Sequence, residues 1–171
     1  MYDTDTIMNK KTAKILAVAL LFFSGSGCTL PYQNISLNSS KSVEKINYTE
    51  TIYIEDQKLN VKTVTSPADM EQGLSGQEKL LENQGMLFKF TTPGKKTFWM
   101  KDMKFNLDII WIRDKKIIGI TENISMPEKN TQIKNLPLYT PPSEIDAALE
   151  INSGWSKLHK IKTGDRLRFS D

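Results

Sequence analysis

From Thr51 onward the apolar residues arrive in short runs, "TIYI", "LNVKTV", "GMLFKF", "LDIIWI", "KIIGITENI" and "IDAALEI", each bounded by turn-forming or polar residues. Runs of this length, rich in Ile, Val and aromatic side chains, read as strands, and none sustains a helical period. "RDKK" is a hairpin connection, and Pro93-Gly94 reads as a turn before a further strand, "KTFWMKDM". "SPADMEQG" carries a helix start, with Ser66 as cap, Pro67 at the first helical position and Asp69 as the capping-box acid. Gly73 or Gly76 can end that helix at positive φ. "QEKLLENQ" can add one further short turn, a second helical turn capped by Asn152 or Ser153 is expected in "NSGWSKLHKIKTGD", and "DRLRF" closes the chain. Seven or so short strands with one or two short helices predict a mainly β fold, a small β-sandwich or barrel-like domain.

Ahead of that domain the composition changes twice. Lys10, Lys11 and Lys14 precede "ILAVALLFF", which is followed by "SGSG" and Cys28. A basic region, an apolar stretch and small residues make an export signal, with Met8 as the natural start. The apolar run is shorter than the roughly 18 to 20 residues that span a bilayer. Residues 1–28 are therefore read as a leader, 29–50 as a polar linker with too little apolar surface to fold, and 51–171 as one β-rich domain. Cys28 is the only cysteine, so the domain has no internal disulfide. Its position after Gly27 resembles the lipidated cysteine of bacterial lipoproteins, although Gly25 stands where that pattern has an aliphatic residue. Two routes stay open: a lipid anchor on Cys28, or ordinary cleavage among Ser24, Gly25 and Ser26. Either way the expected place is extracytoplasmic, tethered to the membrane by lipid or uncleaved leader, or secreted. The net charge is +3, of which the leader holds one unit, and the remainder is dispersed. Nucleic acid, which needs a concentrated basic stripe, is not an expected partner.

The densest stretch is "TFWMKDMKFNLDIIWI", where Lys101, Asp102 and Asp108 sit among tryptophans, methionines and isoleucines. Alternation places Leu107, Ile109 and Trp111 on one face and Asp108, Ile110 and Ile112 on the other. In the next strand Glu122 aligns with Ile118, Ile120 and Ile124. A two-residue turn at Asp114-Lys115 would pair Trp111 with Ile118 and Leu107 with Glu122, setting Asp108 and Glu122 on opposite faces. A three-residue loop would bring them together, and the sequence does not choose. A carboxylate on a buried face must be paired or hydrogen-bonded. Lys101, Asp102, Asp108 and Glu122 could thus form a polar pocket at the rim. Alternatively, Asp102 and Asp108 flank the connection "MKFN" and hold its backbone N–H groups, with Glu122 at a strand end.

The blocks "GLSGQ…L…QGMLFKF", "FWMKDMKFNLDIIWI", "ENISMP", "LPLYTPP" and "AALEINSGW…IKTGDRLRF" resemble, in this order, the domain-of-unknown-function 192 family. The resemblance runs from about Val61 to Phe169. It implies a small mainly β, sandwich-like domain of bacteria and archaea, often behind an export signal, with no established activity. Two positions depart from the family's pattern: Gln77, where a basic residue is usual, and Asn106, where Pro is frequent before the Leu-Asp pair.

The residues favour a non-enzymatic binding module, with Trp99, Lys101, Asp102, Asp108, Glu122 and Tyr139 lining a groove covered by the Pro-rich loop. Aromatics beside acids and amides suit a small polar ligand such as a sugar or peptide, or another envelope component. The alternative is a carboxylate-based hydrolase acting on cell-envelope material, built on Asp108 and Glu122. No catalytic residue is assigned: His159 lies in "KLHKIK", Cys28 in the leader, and no Ser in a G-x-S-x-G context. No cofactor and no metal are expected. Met100 and Met103, three apart in a strand, would face opposite ways and could not share Cu(I), and zinc ligands are lacking.

Overall fold

The computed structural model describes residues 46–170, so the leader, Cys28 and most of the linker lie outside the described residues. Seven strands form one sheet: β1 (Glu50–Ile54), β2 (Gln57–Val64), β3 (Gln84–Gly94), β4 (Leu107–Arg113), β5 (Lys116–Ile124), β6 (Ile145–Asn152) and β7 (Leu167–Phe169). Two short helices, α1 (Pro67–Gln72) and α2 (Trp155–Leu158), and a single 3-10 turn at Ile133–Asn135 complete it. The order across the sheet is β5-β4-β6-β3-β2-β1-β7. Only β2 and β3 run parallel, and the segment carrying α1 makes the crossover that a parallel pair requires.

The two edges of the sheet meet at one end. Lys116 bridges Arg166, Ile117 N–H donates to Asp165 O (2.9 Å) and Leu167 N–H to Lys115 O (2.8 Å). The fold is mainly β, as expected, and of the two architectures read from the sequence it is the barrel-like one. Every strand sends side chains to one buried cluster: Ile52, Leu59, Leu87, Ile110, Ile117, Leu149 and Leu167 among them, joined by Trp155 of α2. A second cluster covers the other face of the sheet, with Met86, Phe88, Leu107, Ile109, Trp111 and Ala148 beneath Leu74, Phe98, Met100 and Met103. A sheet buried on both faces explains why its central strands read as near-continuous apolar runs.

Local signals came out as read where they act within a few residues. Ser66 Oγ accepts the Asp69 N–H at 3.1 Å, Pro67 opens α1, and Gly73 (φ 48°) ends it. Segment 97–103, in contrast, is not a strand. Phe98 pairs with Tyr139 alone, through two 2.9 Å bonds, and a turn at Lys101-Asp102 (Asp102 φ 54°) carries Met103 N–H back to Met100 O. Alternating apolar residues can equally serve as a cover, and here they roof the outer face of β3, β4 and β6. The turn brings Met100 and Met103 into the same apolar cluster, correcting their assignment to opposite faces. Nor is Pro93-Gly94 a turn: β3 continues through it, and Gly94 pairs with Ile145.

The β4–β5 hairpin has the two-residue turn, with Asp114 and Lys115 at φ 50° and 60°. Two register shifts then overrule simple counting and pair Trp111 with Gly119 and Leu107 with Ile124. At Gly119 the Pro-rich segment returns over the sheet so closely that a Cβ would stand 2.9 Å from Pro142 Cγ and 3.3 Å from Trp111 Cδ1. Gly119→Ala should therefore destabilise the protein by about 1–3 kcal/mol in urea unfolding. Removing the ring in a Gly119→Ala/Pro142→Ala double variant should recover part of that loss; an additive result would show that the contact is not the cause.

Candidate functional site

Asp108 lies in β4 with no solvent exposure, among isoleucines, and its partners are all main chain. Oδ1 accepts the N–H of Asn123 (2.9 Å) and of Gly154 (3.0 Å), and Oδ2 accepts that of Ser156 (3.1 Å). Asn123 is the positive-φ residue of the bulge in β5, and Gly154 takes the left-handed conformation at the start of α2. One carboxyl thus stitches the bulge to the β6–α2 junction. The cap of α2 is Gly154 without a side-chain bond, not Asn152 or Ser153; Asp108 supplies the acceptors from across the sheet. The amides it holds are not those of "MKFN", which the sequence suggested. Asn106 works beside it, its Oδ1 accepting Met126 N–H at 2.9 Å and its carbonyl the Ser153 N–H.

The other candidates are spread over different surfaces. Glu122 is exposed on β5, so no buried pair with Asp108 is formed. Trp99, Lys101 and Asp102 share the roof segment: Trp99 and Lys101 are half-buried, Asp102 exposed, and the Lys101 ammonium stands 5.9 Å from the Trp99 ring centre. Tyr139 is half-buried and pairs with Phe98, the neighbour of Trp99, while Leu138 beside Tyr139 is 64% exposed. Trp111 is core: it meets Phe98 edge-on at 5.3 Å and donates Nε1–H to Thr121 Oγ1 at 2.9 Å. His159 lies over Trp155, ring centres 4.5 Å apart, in a shallow depression with Lys58 and Glu82.

The sequence reading passed over Glu150. On β6 it stands between Met86 of β3 and Ile109 of β4, facing the outer cluster, and is only 6% exposed. Its Oε2 has no hydrogen-bond partner, and burial raises its pKa from 4.5 to about 8. Overhead is the end of α1, where a Cβ on Gly73 would stand 4.0 Å from Oε2. The next residues are tied to the roof turn: Ser75 Oγ donates to Lys101 O (2.7 Å) and Gly76 N–H to Asp102 O (2.9 Å). The available signal was an acid two positions from Ala148 within an apolar strand.

A model of the family DUF192, described as "Uncharacterized ACR", matches residues 50–169. No curated protein matches the chain. A crystal structure from Sinorhizobium meliloti 1021, provisionally described as a transcription regulator, is 26% identical with a TM-score of 0.62, covering 74% of this chain and 98% of that one. A protein of unknown function from Novosphingobium aromaticivorans DSM 12444 shares the fold at 24% identity and TM-score 0.60, covering 70% and 82%.

Two outcomes follow from the buried acids. Asp108→Asn places an NH2 group against amides that need an acceptor, and should cost about 3 kcal/mol or more by denaturant titration. A loss under 1 kcal/mol would contradict the stitching role. For Glu150, both states hold the proton below pH 4.5; from there to about 8 only the folded state keeps it. Stability should fall with rising pH across that window, by up to about 1.4 kcal/mol per unit, and level off above it. Glu150→Gln carries no such proton, so its melting midpoint should gain on the wild type from pH 5 to 8. A constant difference across that range would reject the assignment.

Proposed function

The chain belongs to the DUF192 family, and we propose that this member is an exported, membrane-tethered, non-enzymatic binding module for a small polar ligand, a sugar or peptide. The observation that carries the reading is the platform on the roof segment. Half-buried Trp99 has Lys101 over its ring and exposed Asp102 in the same turn, and the paired segment carries exposed Leu138. An apolar surface bordered by an ammonium and a carboxyl suits a ligand with one apolar face and polar groups around it. Tyr139 ties the paired segment to the platform through its two backbone bonds with Phe98. The tether rests on the leader: the basic and apolar segments and the position of Cys28.

Hydrolysis by Asp108 and Glu122 is the weaker reading. A working pair needs both carboxyls beside the substrate, whereas Asp108 is buried with both oxygens on amides and Glu122 is exposed. DNA binding, which a transcription regulator would use, is not favoured for this chain. Its small positive excess is dispersed rather than gathered into the stripe that DNA binding needs.

The test is a thermal-shift titration of the full chain with monosaccharides, peptidoglycan fragments and short peptides. At least one probe should raise the wild-type midpoint, and Trp99→Ala should weaken that binding by about tenfold or more. Failure of every probe, or equal binding by the variant, would reject the platform.

A further inference from the structure

Three groups converge over the open face of Gly73: Phe88 Cζ, Met70 O and Glu150 Oε2 would lie 3.5, 3.7 and 4.0 Å from a Cβ there. A carboxyl oxygen without a partner and a carbonyl from the last turn of a helix place two acceptors at one spot, with the Phe88 ring beside them. Among the described residues the ion pairs lie elsewhere: Lys89 with Glu50, Lys104 with Glu78, and Arg113 with Asp114, Glu144 and Asp146. Nothing in the folding of the sheet requires an acid at this position. Met86 and Ile109 beside it are apolar, and an unsatisfied buried carboxyl is a net cost to stability.

We propose that Glu150 is the anchor of a deep subsite beneath the Gly73–Gly76 loop, taking the primary ammonium group of the ligand bound on the Trp99 platform. The inference rests on the binding-module reading and deepens it by naming the ligand's chemistry. The loop is bracketed by two positive-φ glycines, Gly73 at 48° and Gly76 at 79°, so at Gly73 no side chain stands between the backbone and the carboxyl. Its ties to Lys101 O and Asp102 O join it to the platform segment. On entry the ammonium would pair with the ionised carboxyl, and the proton held by Glu150 would pass to solvent. Met70 O offers a second acceptor.

The experiment compares glucosamine with glucose, and ethylammonium with ethanol, on the full chain by calorimetric titration and thermal shift. Glu150 is followed in parallel by carbon NMR of labelled glutamate carboxyls. The amines should bind, the neutral analogues should bind at least about tenfold more weakly, and Glu150→Gln should lose that preference by about the same factor. In the wild type, glucosamine should move the Glu150 titration to lower pH, a readout that does not depend on how the variant folds. If glucose binds as well as glucosamine and the Glu150 titration stays in place, the subsite is overturned while the platform stands. If no probe binds either protein, both readings fall. A glucosamine preference kept by Glu150→Gln would place the ammonium elsewhere and also overturn the proposal.

Discussion

The carboxyl of Asp108 is the interaction on which much of this fold depends. Without solvent, an oxygen acceptor must be matched to donors, and here three amides from two separate connections converge on one side chain. The bulge at Asn123 shifts the β4–β5 register, and the left-handed Gly154 turns the chain into α2. Without Asp108 these amides would lose their acceptor, at about 1–3 kcal/mol for the buried N–H of Ser156. The same junction sets Trp155 into the end of the barrel core. Placement of α2 and closure of the hairpin are thereby one problem solved by one residue.

A second buried acid sits one step away in the ladder and behaves oppositely. Asp108 pairs with Ile151 and Ile109 with Glu150, so the two carboxyls occupy adjacent rows and opposite faces of the sheet. One is satisfied by main chain; the other keeps an oxygen without a partner beneath a glycine-bracketed loop. Stability accounts for the first and not for the second. That asymmetry, rather than exposure alone, separates a structural acid from a candidate binding group.

Much of the architecture was legible because a period of two survives whatever the strand packs against. The faces of β4, with Leu107, Ile109 and Trp111 against Ile110 and Ile112, lie as alternation assigns them. Alternation failed at 97–103, since a roof lying on a sheet presents the same pattern as a strand within one. It was also silent on Glu150: with Asp146 and Ala148 in the same row, the acid resembles a solvent-facing position. Of the candidate site, Trp99, Lys101 and Asp102 were grouped by sequence proximity, which the roof turn preserves. Whether Asp108 and Glu122 share a face depended on the hairpin register, which the sequence left open and two bulges set.

The sequence by itself determined the mainly β class, the Ser66-capped helix and the presence of a hairpin connection in "RDKK", though not its length. These depend on contacts within a few residues, where side-chain chemistry and φ preference suffice. Only the tertiary structure decided the register of β5, the closure of the barrel and which buried acid would be satisfied. The reason is range: Asp108 meets Asn123 across 15 residues and Ser156 across 48, and the Gly73 loop covers Glu150 from another part of the chain. No local pattern encodes donors that arrive from so far away.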